Sequence, residues 1–185
     1  MPTALIYVTG PSGSGKDSLL RYAHQHLSGN AGVCFAHRYI TRAAEAGGEN
    51  HIALSPEEFA ARSQAGLFAL HWASNGLHYG IGIEIDDWLA KGLAIVMNGS
   101  RQYLQQARMR YPGLVLVEIA VSEPVLRERL LARGRETAEQ VEQRLQRNRD
   151  LSSVAPEAQV ISNEGDLGSA GQALVALIRR YAGQS

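Results

Sequence analysis

The chain has 185 residues, 45% of them apolar, which is enough for one well-buried domain and too few for two ordinary ones. Its 18 basic and 18 acidic residues cancel, so no overall field draws it to nucleic acid or to an anionic membrane. No stretch approaches the ~20 apolar residues of a membrane helix, and a single cysteine, Cys34, precludes an internal disulfide. We therefore expect one soluble, cytoplasmic domain without nucleic-acid or membrane partners. The oligomeric state stays open, a homodimer included.

The first predicted elements are a strand, a glycine-rich loop and a helix. The apolar run at residues 4–8 precedes Gly10, Pro11, Ser12, Gly13, Ser14, Gly15, Lys16, Asp17 and Ser18. In this G-x-x-x-x-G-K pattern the glycines let the backbone turn, so that successive N–H groups point at one anion. Lys16 adds a positive charge for the β- and γ-phosphates, and the helix that follows directs its positive dipole end at the same oxygens. The segment therefore predicts a binding site for nucleotide phosphates.

The residue after the loop lysine departs from the usual pattern. A Ser or Thr whose hydroxyl binds Mg²⁺ is expected there, whereas this chain has Asp17 followed by Ser18. A carboxylate is also a hard oxygen ligand, so Asp17 is a candidate to bind Mg²⁺ directly or through water, and Ser18 is the other candidate. The sequence does not choose between them.

The next segment offers a second place for an anion. A short strand at residues 33–36 is followed by Arg38 and Arg42, which lie four positions apart. Guanidinium groups bind phosphate oxygens in a bidentate manner, so the pair is a candidate to hold a second anion; two solvated surface charges are the alternative. Short strands and one helix follow, and residues 37–81 together predict a small α+β insertion that carries the second substrate.

The third main strand, at residues 93–97, ends in Asn98 and is followed closely by Arg101. Ligands gather at the carboxyl ends of strands in open α/β sheets, so these side chains are placed to face the site. Two more strands are predicted at residues 114–121 and 160–162, with helices between the strands.

Arginines are dense in the segment that leads into a polar helix over about residues 137–151. The functional interpretation is a lid whose arginines, among them Arg133 and Arg144, neutralise the charge on a transferring phosphoryl group. A solvated, charge-rich helix is the alternative. The elements together predict a single three-layer α/β domain of the P-loop type with a central parallel sheet. Its core comprises residues 1–36, 82–132 and 152–185, and its helical lid about residues 133–151.

Several motifs resemble the guanylate kinase family along nearly the whole chain. They are residues 10–18, Thr41-Arg42, Phe68 with Tyr79-Gly80, Arg133-Gly134-x-Glu136, Arg144-Leu145 and Val160-Ile161-Ser162-Asn163. That family reads guanine with a Glu and an Asp, and at those positions this chain has Leu70 and one of Ala94 or Val96. The resemblance implies the fold of that family. An apolar group cannot accept hydrogen bonds from guanine, so the specificity for guanine is expected to be lost.

Within that superfamily the chain resembles the ribose 1,5-bisphosphate phosphokinases of bacterial phosphonate catabolism. The segments at residues 10–19, 36–42, 49–55 and 96–101 carry this resemblance. It implies an enzyme that uses ATP, with Mg²⁺, to convert ribose 1,5-bisphosphate to 5-phospho-α-D-ribose 1-diphosphate. The acceptor is then a phosphate oxygen that is already anionic near neutral pH, so no general base is required. The sequence is consistent with a reaction that needs no general base, because it contains arginines and a phosphate loop but no evident catalytic acid–base pair.

The resemblance also implies a role for each candidate residue. The loop from Gly10 to Ser18 binds ATP, with Asp17 or Ser18 holding Mg²⁺, and the Asn163 turn lies by the adenine. Arg38, Arg42, Tyr79 and Arg101 bind the sugar bisphosphate. Lys16, Arg133 and Arg144 act on the transferring group.

Two other functions stay open at this point. One is a nucleoside monophosphate kinase with relaxed base choice, guanylate kinase itself included. The other is a guanylate-kinase-like binding module that no longer catalyses. Such modules tolerate an eroded loop and lid, whereas this chain keeps Lys16, Arg133 and Arg144.

Overall fold

The computed structural model describes residues 4–46, 49–134, 136–151 and 155–183. The strands in these ranges are β1 (Leu5–Thr9), β2 (Val33–Ala36), β3 (Arg38–Ile40), β4 (Ile52–Ala53), β5 (Phe68–Ser74), β6 (Leu77–Gly82), β7 (Ala94–Asn98), β8 (Val115–Ala120) and β9 (Gln159–Ser162). The α-helices are α1 (Lys16–Leu27), α2 (Pro56–Gln64), α3 (Glu84–Ala90), α4 (Leu104–Arg110), α5 (Glu123–Ala132), α6 (Ala138–Asp150) and α7 (Leu167–Tyr181).

The predicted central parallel sheet is confirmed. Its strand order is β2-β7-β1-β8-β9, and every neighbouring pair is parallel. All residues of β1 and β7 are buried, as expected for strands in the middle of a sheet that is covered on both faces. The phosphate loop follows β1 directly, so it lies at the carboxyl edge of the sheet near its centre.

Helices cover both faces of this sheet, which gives the predicted three layers. On one face α1 and α7 pack together over the sheet through the buried residues Leu19, Ala23, Leu174 and Ile178, which contact Ile6 and Val8. On the other face α3 and α4 contribute Ile85 and Ala107, which pack with Leu5, Tyr7 and Ile95. No helix in the described part of the chain is long and apolar enough to cross a membrane.

A second, smaller sheet lies within residues 38–82, in the order β4-β3-β6-β5. Strands β5 and β6 form a hairpin whose turn, Asn75-Gly76, has positive φ angles of 51° and 74°, the backbone that favours Asn and Gly in tight turns. The sequence analysis predicts no strand at residues 38–40. They form β3 because Ile40 is fully buried and the segment pairs with β6, and as a result Arg38 is held on a strand.

Helices α5 and α6 pack side by side through Leu126, Leu130, Val141 and Leu145. The helix predicted over residues 137–151 is confirmed as α6. Thr137 caps its N-terminus by accepting a hydrogen bond from the Gln140 N–H at 3.2 Å, and the Gln140 side-chain oxygen accepts one from the Thr137 N–H at 2.9 Å. This packing leaves part of the polar face of α6 directed at the phosphate loop.

Candidate active site

A cleft of about 470 Å³ lies at the carboxyl edge of the parallel sheet, between the phosphate loop, the second sheet and α6. Its lining includes residues 10–18, Arg38, Tyr79, Arg101, Arg133 and Arg144. The structure therefore brings together all of the predicted site residues except Arg42 and Asn163. Arg147 also lines the cleft, so five guanidinium groups face the same space as the phosphate loop.

The loop needs glycine at two positions with left-handed backbone, Gly13 and Gly15, whose φ angles are 92° and 82°. A Cβ at Gly15 would lie 2.5 Å from the Asn163 side-chain nitrogen, so a larger residue is excluded there. Asn163 is 3% exposed and donates a hydrogen bond to the Ser14 carbonyl at 2.7 Å. The structure thus places Asn163 behind the loop as a support. Its predicted proximity to adenine stays a prediction.

Lys16 begins α1 and points to the end of β7. Its ammonium group donates a hydrogen bond to the Asn98 side-chain oxygen and lies 3.5 Å from a carboxylate oxygen of Asp17. Burial lowers the pKa of Lys16, and the neighbouring Asp17 counteracts part of that shift. The cation is therefore partly desolvated and held beside polar oxygens, where the loop meets α1.

Asn98 joins the phosphate loop to the second sheet. Its side-chain nitrogen donates to Asp17 at 3.1 Å and to Oε2 of Glu49 at 2.7 Å. Glu49 in turn accepts two hydrogen bonds from Arg38, one of them from Nε to Oε1 at 2.7 Å. The Arg38 guanidinium lies over the Tyr79 ring, 5.0 Å from its centroid. A continuous polar chain thus runs from Lys16 to Arg38.

Glu49 was missed as a site residue by the sequence analysis. It lies 49 residues from Asn98 in the chain, and no local spacing connects the two. The one available signal is that Glu49 begins the segment at residues 49–55, which carries part of the family resemblance. Asn98 was placed at the site by its position at a strand end, and its contacts support that placement.

Asp17 and Ser18 fit a magnesium ion as one carboxylate and one hydroxyl that face the cleft. Burial raises the pKa of Asp17, but attraction to Lys16 and Arg38 outweighs burial and lowers the pKa overall, so the carboxylate is ionised at neutral pH. Its side chain is 44% exposed. Within the described ranges no group of three or more His, Cys, Asp or Glu residues could hold a metal. The carboxylate of Asp17 and the hydroxyl of Ser18 suit Mg²⁺, which usually takes one or two protein ligands together with substrate phosphates and water.

Tyr7 fixes the turn that carries Arg101. The buried Tyr7 hydroxyl donates to the Ser100 carbonyl at 2.8 Å and accepts from the Ser100 N–H at 2.9 Å. Burial raises the pKa of Tyr7 to about 12, so the hydroxyl stays protonated. A Cβ at Gly99 would lie 2.2 Å from the ring, which explains the glycine. From the sequence Tyr7 is predicted only as part of the apolar strand, so this contact was not predicted.

Helix α6 contacts three parts of the cleft. Arg144 donates to the Ser12 hydroxyl at 2.6 Å and forms an ion pair with Glu136. Arg147 donates to Asn75 in the β5–β6 turn at 3.3 Å. Asn148 accepts a hydrogen bond from Arg101 at 2.8 Å. The helix therefore closes over the cleft and connects the phosphate loop with the second sheet.

Arg42 lies outside the cleft. One of its terminal nitrogens is 3.3 Å from Nδ1 of His51, and Nε2 of His51 is 3.1 Å from the Arg42 carbonyl. His51 is 9% exposed, so the two side chains form a partly buried pair beside β4. The sequence interpretation grouped Arg42 with Arg38 because both lie in one short segment. The residues separate because Arg38 is on β3, whereas Arg42 follows that strand.

Comparisons with known proteins place the chain among related sequences. The family model described as guanylate kinase matches residues 2–181. A protein named ribose 1,5-bisphosphate phosphokinase PhnN from Thiobacillus denitrificans is 56% identical over 174 residues, which cover 94% of this chain and 92% of the relative. The protein of that name from Desulfomicrobium baculatum is also 56% identical over 174 residues, covering 94% of this chain and 93% of the relative.

Solved structures show the same fold at low sequence identity. Guanylate kinase from Anaplasma phagocytophilum superposes with a TM-score of 0.69 at 19% identity, covering all of this chain and 89% of that one. A gluconokinase from Sinorhizobium meliloti superposes with a TM-score of 0.53 at 20% identity, covering 98% of this chain and 95% of that one.

Proposed function

We propose that this chain, which belongs to the guanylate kinase family, transfers the γ-phosphoryl group of ATP to ribose 1,5-bisphosphate. The family membership rests on a match over residues 2–181. The acceptor is supported by relatives of 56% identity over nearly the whole chain, which are named ribose 1,5-bisphosphate phosphokinase. The product is 5-phospho-α-D-ribose 1-diphosphate, and ADP is released.

The observation that carries the proposal is the charge of the cleft. Lys16, the phosphate loop, Arg38 and Arg101 all line the same cleft, so it suits two polyanions at once. An acceptor with a phosphate at each end of a small sugar matches this arrangement better than a neutral sugar does. Leu70 and both candidates for the second guanine-reading position, Ala94 and Val96, are apolar and buried, so they offer guanine no hydrogen-bond acceptor, which disfavours GMP.

The reaction requires positioning and charge neutralisation more than proton transfer. An oxygen of the acceptor's 1-phosphate attacks the γ-phosphorus of ATP, and the bond from that phosphorus to the β–γ bridging oxygen breaks. The attacking oxygen is already ionised, so no side chain has to remove a proton. Lys16 neutralises charge on the ATP oxygens, and Arg133 and Arg144 neutralise charge on the transferring group. Mg²⁺, when bound, supplies further charge neutralisation on the phosphate oxygens.

A panel of acceptors tests the proposal. Release of ADP is followed with ribose 1,5-bisphosphate, GMP or gluconate at equal concentrations, with a reaction lacking any acceptor as the baseline. We expect ADP release above baseline with ribose 1,5-bisphosphate and not with GMP or gluconate. Turnover of GMP at a rate equal to or higher than that of ribose 1,5-bisphosphate would show that the protein is a nucleoside monophosphate kinase instead. ATP binding without turnover of any acceptor would show that it is a binding module.

Between the two candidates for the metal, we propose Asp17 as the side chain that holds Mg²⁺. Its ionised carboxylate is a stronger ligand for a hard cation than a neutral hydroxyl is. We expect Asp17→Asn to raise the Mg²⁺ concentration for half-maximal rate by about tenfold or more, since a neutral amide oxygen binds the ion more weakly. Ser18→Ala should change it by no more than about twofold. The measurement is the initial rate against free Mg²⁺ at saturating ATP, and the reverse ranking of the two variants would assign Ser18 instead.

A further inference from the structure

We infer that Glu49 accepts hydrogen bonds from the sugar hydroxyls of the acceptor and thereby selects a ribose bisphosphate over its deoxy analogues. This inference rests on the proposed function, because it requires the sugar bisphosphate to bind beside Arg38. It assigns to Glu49 a role in specificity that the family resemblance does not supply.

Glu49 lies beside the main cleft. A second cavity of about 320 Å³ adjoins that cleft, and the two share Asp17 and Arg38 in their linings. Glu49 and Asn98 line the second cavity, together with apolar groups that include Phe35 and Val96. An acceptor whose reacting phosphate lies in the main cleft can therefore extend its sugar past Arg38 and into contact with Glu49.

The Glu49 carboxylate can accept more hydrogen bonds than the protein supplies to it. Its side chain is 12% exposed, and an ionised carboxylate can accept about four hydrogen bonds. Within the described ranges its donors are Nε of Arg38 to Oε1, and Arg38 and Asn98 to Oε2. The Oε1 atom, with a single such donor, thus retains capacity for a further one. A hydroxyl group of a ligand would supply it.

The charge of Glu49 also decides which group it can bind. A carboxylate beside a cleft built for anions repels the phosphates of the acceptor, so its favourable partner must be a hydrogen-bond donor. At neutral pH the phosphates of ribose 1,5-bisphosphate mainly accept hydrogen bonds, whereas its 2- and 3-hydroxyls can donate them. Arg38 has five N–H donors and gives two to Glu49, which leaves others for a phosphate. Arg38 and Glu49 together therefore match a phosphate that lies next to a pair of hydroxyls.

The test compares the kcat/KM for ribose 1,5-bisphosphate with the values for its 2-deoxy and 3-deoxy analogues. In the wild-type protein we expect at least one analogue to react about 10- to 100-fold less efficiently, because its binding leaves Oε1 of the largely buried Glu49 carboxylate without the further donor that a hydroxyl supplies. In Glu49→Gln we expect that ratio to fall to about threefold or less. Glu45→Gln is the matched control, since Glu45 is exposed four positions earlier in the chain and lines neither cavity, and it should keep the wild-type ratio.

The ratio of kcat/KM between ribose 1,5-bisphosphate and its deoxy analogues distinguishes a structural role for Glu49 from a role in recognition. If Glu49 only orients Arg38, then Glu49→Gln lowers the kcat/KM of all three sugars equally and the ratio stays at its wild-type value, which would overturn the inference. Equal use of all three sugars by the wild-type protein would also overturn it. No turnover of ribose 1,5-bisphosphate by the wild-type protein would instead mean that the proposed function is wrong.

Discussion

Lys16→Ala is expected to lower kcat for phosphoryl transfer by about 10²- to 10³-fold, the largest loss among the variants considered for this chain. The Lys16 side chain is 14% exposed and lies between Asn98 and Asp17, so its charge acts in a partly desolvated site, where it is worth more than in water. Alanine removes that charge and leaves Asn98 and Asp17 facing the substrate phosphates without it. Single-turnover rates at saturating ATP and acceptor measure the loss.

The control for this variant is Lys91→Ala. Lys91 is the only other lysine of the chain and is exposed just after α3, away from the cleft. We expect its kcat to stay within about twofold of the wild-type value. Near-wild-type turnover by Lys16→Ala would contradict the assignment of the loop as the catalytic phosphate site.

Arg144→Ala is expected to lower kcat by about 10²-fold while the affinity for ATP changes only a few-fold. An arginine that neutralises a transferring phosphoryl group acts mainly in the transition state, so its removal affects turnover more than ground-state binding. Arg144 reaches Ser12 of the loop from α6, which places its guanidinium at the mouth of the phosphate site. Turnover is measured with saturating substrates, and ATP affinity by calorimetry.

Arg149→Ala is the matched control on the same helix. Its guanidinium pairs with Glu123 and Glu142 and does not line the cleft. Exposed ion pairs contribute little, so we expect kcat within about twofold of wild type. Equal losses of kcat in Arg144→Ala and Arg149→Ala would mean that α6 contributes through its stability alone and not through a charge at the phosphoryl group.

The phosphate loop and the parallel sheet could be predicted because their signals are local. The run of apolar residues in β1, the glycines of the loop and the amphipathic face of α1 all lie within the first 27 residues. Similar local patterns marked β7, β8 and α6. The polar residues after β7 could be placed at the site because the carboxyl ends of parallel strands meet at one edge of the sheet.

The acceptor side could not be predicted to the same degree, because it is built from contacts between distant segments. Tyr7 meets Ser100 across 93 positions, and Asn98 meets Glu49 across 49. The position of Arg42 also depended on tertiary structure, since pairing of β3 with β6 separates it from Arg38. No spacing in the sequence encodes these contacts. The arginines could therefore be identified from the sequence as positive charges, but the residues that they contact could not.

The central claim is that the cleft holds ATP beside a sugar bisphosphate and joins them through a phosphate oxygen. Phosphorus NMR of the reaction mixture tests this most directly, because it identifies the bond that forms. The account predicts two mutually coupled diphosphate signals on the sugar product, an unchanged 5-phosphate signal, and ADP in equal amount. Release of inorganic phosphate with the sugar unchanged, or conversion of GMP to GDP in preference to the sugar, would contradict it.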